Sequence, residues 1–217
     1  YGTMDDYLQN TFGLTRSTAG NLVLSFALMN IFARTLGGFF GDRFGRLKGL
    51  RGRVLFLTVI LALEGVMLSV FSMATSFAMG IIFLIAFSLT VQMAEGATFS
   101  VVPFINKKAI GSISGIVGAG GNVGAFLAAL LLKSKSALAE TNALAANANL
   151  GEEAMKAAQS AAASGAVSSG YLLIGGFVIV TALVTLAIKF SVEDEKLVKE
   201  ELQKADKSVI NLSPSSI

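Results

Sequence analysis

The stretch GSISGIVGAGGNVGAFLAA, residues 111–129, is a glycine-rich run inside a segment apolar enough to cross a lipid bilayer. At helical spacing, small residues and the amide of Asn122 fall on one face of this segment. The members of that face are Gly111, Gly115, Gly118, Asn122, Ala125 and Ala129. Such a face lets another helix approach closely and presents one hydrogen-bonding group where water is scarce. Together with Arg34, an arginine inside another apolar segment, the face indicates a solute path through a membrane.

The composition of the whole chain is that of a membrane protein. Hydrophobic residues make up 53% of the chain and charged residues 14%, and the mean hydropathy is +0.70. These values exclude an ordinary soluble domain. Because a helix needs about 20 mostly apolar residues to cross the hydrocarbon core, the sequence predicts an all-α integral membrane protein with five transmembrane helices. The predicted spans are 19–41, 54–73, 77–101, 110–132 and 170–190.

Residue counts limit the chemistry that the chain can perform. Without cysteine or histidine, disulfides and thiolate metal sites are excluded, and any proton relay must use carboxylates. We expect no catalytic residue, metal or cofactor in this chain, and we do not expect it to be an enzyme. Nucleic acid is not an expected partner, because five of the 17 basic residues sit in one short loop beside a span.

The distribution of Lys and Arg predicts the topology. Loops 42–53 and 102–109 are basic and are expected in the cytoplasm, which places the N-terminal segment 1–18 outside. The Ala-rich segment 133–169 is expected to be a partly helical extracellular insert without chemistry. The tail 191–217 is then cytoplasmic and begins as a short polar helix with Ser191 and Asp194 as a capping box. The chain opens without methionine, so we expect an N-terminal part to be missing.

Arg34 lies about two turns inside the predicted cytoplasmic end of the first span. An arginine within the membrane costs about 2.5–3.5 kcal/mol on insertion scales, so it requires a partner or a cavity. The guanidinium is planar, permanently charged and forked, which suits a planar oxyanion. The alternative is that the side chain extends to the membrane interface.

The glycine-rich run has two interpretations as well. Asn122 can donate to an anion, with Gly118 and Gly121 beside it on the substrate path, or it can form an interhelical hydrogen bond. The GxxxG pairs in the run commonly serve packing alone. A dinucleotide-binding loop fits poorly, because Val123 stands where the third glycine of that motif would fall.

Two acids, Glu64 and Glu95, lie inside predicted spans, where ionisable groups usually have a function. Glu95 is expected to neutralise Arg34 or to line the pathway, and a protein-facing hydrogen bond is the alternative for Glu64. Gln92 and Asn30 are further polar candidates for the pathway or for proton coupling.

The loop residues Asp42, Arg43 and Arg46 form a Gly-Asp-Arg-x-Gly-Arg pattern. We interpret this pattern as a gating loop. In it, Asp42 caps or bridges to a neighbouring helix in one conformational state, and Arg43 and Arg46 face anionic lipid or a carboxylate. A solvated topology signal is the other interpretation, and the two are compatible.

Several of these motifs resemble known transporters. Residues 37–45 resemble the loop signature of the major facilitator superfamily. Residues 33–38 together with 49–53 are similar to the second half of high-affinity nitrate transporters in the nitrate/nitrite porter family. Residues 97–104 resemble that family's tenth helix, and residues 115–124 resemble its second nitrate signature.

The resemblance implies a C-terminal helical bundle containing helices eight to twelve of a twelve-helix transporter. The implied function is uptake of nitrate, and of nitrite, by alternating access with proton coupling, for nitrate assimilation at the plasma membrane. Arg34 would be the second-half nitrate ligand, and Asn122 would lie on the signature helix. The implied partners are the missing N-terminal half, protons, the lipid bilayer and an accessory membrane subunit. The long insert and Glu95 depart from the family pattern.

Two other functions remain open from the sequence. The chain could be part of another small-anion porter of the same superfamily. It could also be a non-transporting membrane scaffold, in which the glycines serve packing alone.

Overall fold

The computed structural model describes residues 8–9, 11–149, 151–192, 195–196, 198 and 200. The described chain folds into five long helices, with no strand among these residues. They are α1 (Arg16–Lys48), α2 (Leu50–Ser72), α3 (Phe77–Val101), α4 (Ile110–Ala146) and α5 (Glu152–Thr185). Two short 3-10 segments, Val102–Phe104 and Lys107–Ala109, connect α3 to α4. The predicted all-α fold class is confirmed.

The helix ends follow local sequence signals. The hydroxyl of Thr15 accepts a hydrogen bond from the Thr18 N–H at 3.3 Å, and Ser76 caps α3 in the same way. Gly49, with φ at 68°, ends α1 and directly precedes α2. Residues 42–48 continue α1, so the predicted loop 42–53 contains Gly49 alone outside a helix. The run 43–48 is helical because it contains no breaker other than Gly45.

Four of the described helical segments are long and apolar enough to cross a membrane. They are α2, α3 with its 3-10 extension to Phe104, α4 and α5. The first predicted span, 19–41, falls within α1, where the side chains at positions 23, 25–27 and 30 lie outside the described residues. The span 19–41, and with it the count of five spans, therefore stays a prediction, while an integral membrane protein is confirmed.

The insert predicted at 133–169 is a continuation of two helices. α4 runs on to Ala146 and α5 begins at Glu152, so only 147–151 connect them. The 37 residues of α4 extend about 55 Å, which exceeds a hydrocarbon core of about 30 Å. Alanine-rich sequence favours this extension, because alanine has the highest helix propensity. The predicted span 170–190 also shifts, because α5 ends at Thr185.

The structure describes only part of the two chain ends, so the predictions made for them can be compared with it only in part. In the segment 1–18, residues 1–7 and 10 lie outside the described residues, and α1 already begins at Arg16. In the tail 191–217, Asp194 of the predicted capping box and most positions from Leu197 onward also lie outside them.

Glycines bring α1 and α3 into direct backbone contact. A Cβ at Gly37 would overlap the backbone of Met93, and a Cβ at Gly96 would overlap the carbonyl oxygen of Arg34. On its other side, α3 packs against α2 through a buried cluster. The cluster contains Leu57, Ile60, Ala94, Ala97 and Val101. α3 is therefore held between α1 and α2, with Arg34 at the glycine contact.

α5 joins the bundle by a second close contact. Gly65 on α2 and Gly175 on α5 approach so closely that a Cβ at either would meet the other's carbonyl oxygen. Near one end of this contact, the hydroxyls of Thr58 and Thr185 are hydrogen-bonded at 2.6 Å. The other face of α5 packs against α4, where Leu132 is the one buried residue of α4. α4 is thus attached mainly through α5, and most of its surface is open.

Candidate functional site

The central feature of the site is an ion pair between α1 and α3. Nη2 of Arg34 donates a hydrogen bond to Oε2 of Glu95. The two side chains are 52% and 42% exposed, so the pair is partly open on one side. Gly96, next to Glu95, lies against the backbone of Arg34, and this contact holds the two charged side chains together.

A cavity of about 520 Å³ opens beside Arg34, between α1, α3 and the start of α2. Its lining residues are Arg34, Thr35, Gly38, Asp42, Arg53, Gly96, Phe99, Ser100, Pro103 and Phe104. The exposed surface of the lining is mostly apolar, and two guanidinium groups, those of Arg34 and Arg53, contribute to it. The space is large enough for a small anion, to which the Arg34 guanidinium could donate charge-assisted hydrogen bonds.

Arg53 also lines the cavity, and its side chain is 7% exposed. Its Nη1 donates to Oδ1 of Asp42 and, at 3.0 Å, to the carbonyl oxygen of Ser100. Its guanidinium carbon lies 4.6 Å from the centre of the Phe104 ring. Arg53 therefore links α1, α2, α3 and the 3-10 segment at one point.

From the sequence, Arg53 is interpreted as one of five basic loop residues and as the end of the family-like run 49–53, with no contact assigned to its side chain. A signal was nevertheless present, because Arg53, Leu57 and Ile60 follow one another at helical spacing on the buried face of α2. Arg51 is off that face, and its side chain is 81% exposed. The signal was missed because the predicted span began at residue 54, one position after Arg53.

Replacing Arg53 with glutamine should destabilise the folded bundle by about 1–3 kcal/mol. The change leaves Asp42 and the Ser100 carbonyl without their donor, although the 55% exposure of Asp42 lets water compensate in part. Arg51→Gln is the matched control, with an expected effect within about 0.5 kcal/mol. Thermal unfolding of the full-length protein in detergent measures both, and equal destabilisation would contradict the role of Arg53.

The proposed gating residues divide into two groups. Asp42 bridges from α1 to α2 through Arg53, whereas Arg43 and Arg46 are exposed on the last turns of α1. Neither of these two arginines forms an ion pair within the described residues.

The structure does not bring the predicted α4 residues to the cavity. Asn122, Gly118 and Gly121 are absent from its lining, and no atom lies within 4 Å of a Cβ built at either glycine. Asn122 is exposed and makes no hydrogen bond to the described part of the chain. The described part of the chain therefore leaves the glycine face uncovered and supplies no helix that packs against it.

The remaining polar candidates differ in their surroundings. The Oε1 atom of Gln92 is buried and has no hydrogen-bond partner among the described residues. Glu64 is 8% exposed on α2. Asn30 belongs to α1, but its side chain lies outside the described residues. The described part of the chain contains no cluster of three metal-ligating side chains.

Comparison with known proteins gives the relationship of this chain. It is 42% identical over 126 residues to high affinity nitrate transporter 2.5 of Arabidopsis thaliana. The matched residues make up 58% of this chain and 25% of the relative. The chain is 38% identical over 138 residues to nitrate transporter 2.2 of Chlamydomonas reinhardtii, with 63% and 27% covered. The chain is a homologue of the nitrate transporters. The family resemblance inferred from the motifs is thereby confirmed.

A third relative matches a larger share of this nitrate-transporter homologue than the first two. The nitrate/nitrite transporter NrtP of Picosynechococcus sp. is 35% identical over 151 residues, which cover 69% of this chain and 26% of the relative. The chain thus spans about a quarter of the length of the curated relatives it matches. No protein-family model and no solved structure matches it.

Proposed function

We propose that this chain is part of a nitrate transporter, active also on nitrite, that works by alternating access and takes up protons with the anion. The observation that carries the proposal is Arg34, a guanidinium within an apolar helix, beside a cavity large enough for a small oxyanion. The names of its homologues support the choice of nitrate and nitrite. The chain would contribute no enzymatic activity.

In this proposal the anion binds between two helical bundles near the middle of the membrane, as is typical of such transporters. Arg34 holds it from this chain, and a second bundle of the same protein supplies the opposite wall. The open face of α4, with Gly118, Gly121 and Asn122, would face that second bundle. Gln92 and Asn30 would line the route as polar neighbours.

The charge distribution supports an orientation for the proposal. The Arg43, Arg46 and Arg53 end of the bundle would face the cytoplasm, and the helical hairpin 133–169 would project outside. The plasma membrane is the proposed location, and the hairpin is the surface that an accessory membrane subunit would meet.

Uptake of labelled nitrate by cells that express the full-length protein tests this function. Unlabelled nitrate and nitrite should compete, whereas sulfate and phosphate should not. Competition by another small anion with no effect of nitrate would favour the alternative of a different anion porter. Normal membrane insertion without any anion flux would favour a scaffold.

Replacing Gly121 with leucine should abolish most of the nitrate flux while leaving membrane insertion unchanged. A Cβ at position 121 meets nothing within 4 Å in the described part of this chain, so the flux loss would come from the opposing bundle that alternates against α4. Gly176→Leu on α5 is the matched control, because its Cβ is equally unobstructed, and its flux should stay normal. Undiminished flux in the Gly121 variant would contradict the role of the glycine face.

A further inference from the structure

The ion pair between Arg34 and Glu95 places a carboxylate where the transported anion would bind. We propose that Glu95 competes with that anion for Arg34 and takes up one proton when the anion displaces it. This inference rests on the proposed function, since it assigns the coupling proton to one residue of the same site.

Competition follows from the geometry of the guanidinium. Nη2 of Arg34 already donates to Oε2 of Glu95. A carboxylate and a planar oxyanion such as nitrate present oxygens to the same forked donors, so both are held best in the same orientation. The exposures of 52% and 42% leave the pair accessible, so an anion can reach the guanidinium from the open side.

The charge of the site favours one proton for each anion. The pair of Arg34 and ionised Glu95 has no net charge, and an added anion leaves the site with one uncompensated negative charge. Such a charge is costly near the middle of a membrane, where the proposed function places the site. When a proton from solution binds a carboxylate oxygen of Glu95, the site is neutral again and the carboxylic acid can donate a hydrogen bond to the anion.

The displacement can be stated atom by atom. The hydrogen bond from Nη2 of Arg34 to Oε2 of Glu95 breaks, and Nη2 donates instead to an oxygen of the anion. The proton comes from water on the side from which the anion enters, and it leaves with the anion on the other side. Nitrate is too weak a base to carry this proton itself, so a side chain has to carry it.

Within the described residues, no other charged group on the helices packed against α3 forms an ion pair with Arg34. These other groups are Arg16, Asp42, Arg43, Arg46 and Lys48 on α1, and Arg51, Arg53 and Glu64 on α2. Asp42 is engaged by Arg53, and Glu64 forms no ion pair within the described residues. Of the acids on these three helices, Glu95 is the one that contacts Arg34.

The test is equilibrium binding of labelled nitrate to the purified full-length protein, from mildly acidic to mildly alkaline buffer. In the wild-type protein, nitrate affinity should fall about tenfold per pH unit on the alkaline side, because one proton is linked to one anion. Glu95→Gln mimics the protonated acid, so its affinity should be high and independent of pH. In vesicles, this variant should exchange nitrate for nitrate but should not accumulate it against a gradient when a pH difference is applied.

Three controls separate the possible failures. Glu64→Gln removes the other intramembrane acid and should keep the wild-type pH dependence, and Glu95→Asp should keep it as well. Pronounced pH dependence in Glu95→Gln would overturn the inference, whereas normal nitrate affinity in Arg34→Gln would overturn the proposed function instead. If Glu95→Gln fails to fold, proton uptake by the wild-type protein on nitrate addition in weak buffer decides. About one proton per nitrate supports the inference and none overturns it.

Discussion

Replacing Arg34 with glutamine should reduce the nitrate affinity of the full-length protein by on the order of a hundredfold. Hydrogen bonds to charged groups contribute about 1.5–3 kcal/mol, and each 1.4 kcal/mol is about a factor of ten in affinity. The nitrate affinity of Arg34→Lys should lie between that of Arg34→Gln and that of the wild type, because lysine keeps the charge but lacks the planar fork of donors. Equilibrium binding and initial uptake rates measure both variants.

The partner of Arg34 complicates this experiment and also provides its control. Arg34→Gln leaves the Glu95 carboxylate without its donor, so part of any loss could come from the unpaired acid. The double variant Arg34→Gln/Glu95→Gln removes that charge and should still bind nitrate weakly. Recovery of wild-type affinity in the double variant, or unchanged affinity in Arg34→Lys, would show that Arg34 is not the ligand.

Replacing Gly96 with alanine should unfold or severely loosen the contact between α1 and α3. The added methyl group would overlap the carbonyl oxygen of Arg34, and backbone cannot give way as a flexible side chain can. Overpacking of this kind costs about 1–3 kcal/mol, occasionally more, and the rigid contact places Gly96→Ala at the upper end. The helices would have to separate, which would also move Arg34 away from Glu95. Thermal stability in detergent and nitrate binding should therefore fall together.

Gly115→Ala is the matched control for this change. It makes the same substitution within a helix, but a Cβ at Gly115 has no atom within 4 Å. Alanine is also the better helix former, so stability should be unchanged or slightly higher. Equal loss in both variants would mean that the close approach of α1 and α3 does not hold the bundle together.

Some of the site could be predicted from the sequence because one-dimensional signals carry it. Apolar runs interrupted by charged loops predicted the helices, and an arginine inside such a run is informative at any position because of its insertion cost. The expectation that Glu95 neutralises Arg34 corresponds to the ion pair in the structure. The contact itself joins α1 and α3, which are distant in sequence, and it could not be derived from the spacing of the two residues.

Other features depend on packing that spacing alone cannot reveal. The glycines at 111–124 predicted a close helix contact, yet they face open space within this chain, while Gly37 and Gly96 form the tight one. A glycine pattern is the same whether or not a partner helix is present. Arg53 was missed because a basic residue near a span was assigned to topology, although its neighbours place it on a buried helix face. The boundaries of α4 and α5 were misjudged because polar, alanine-rich sequence can continue a helix beyond the membrane.

The most direct test of the proposed site is an experimental structure of the full-length protein with nitrate bound. We expect nitrate against the guanidinium of Arg34, with the carboxyl group of Glu95 displaced from Nη2 and facing the anion. Nitrate bound elsewhere, with the hydrogen bond between Arg34 and Glu95 intact, would contradict it.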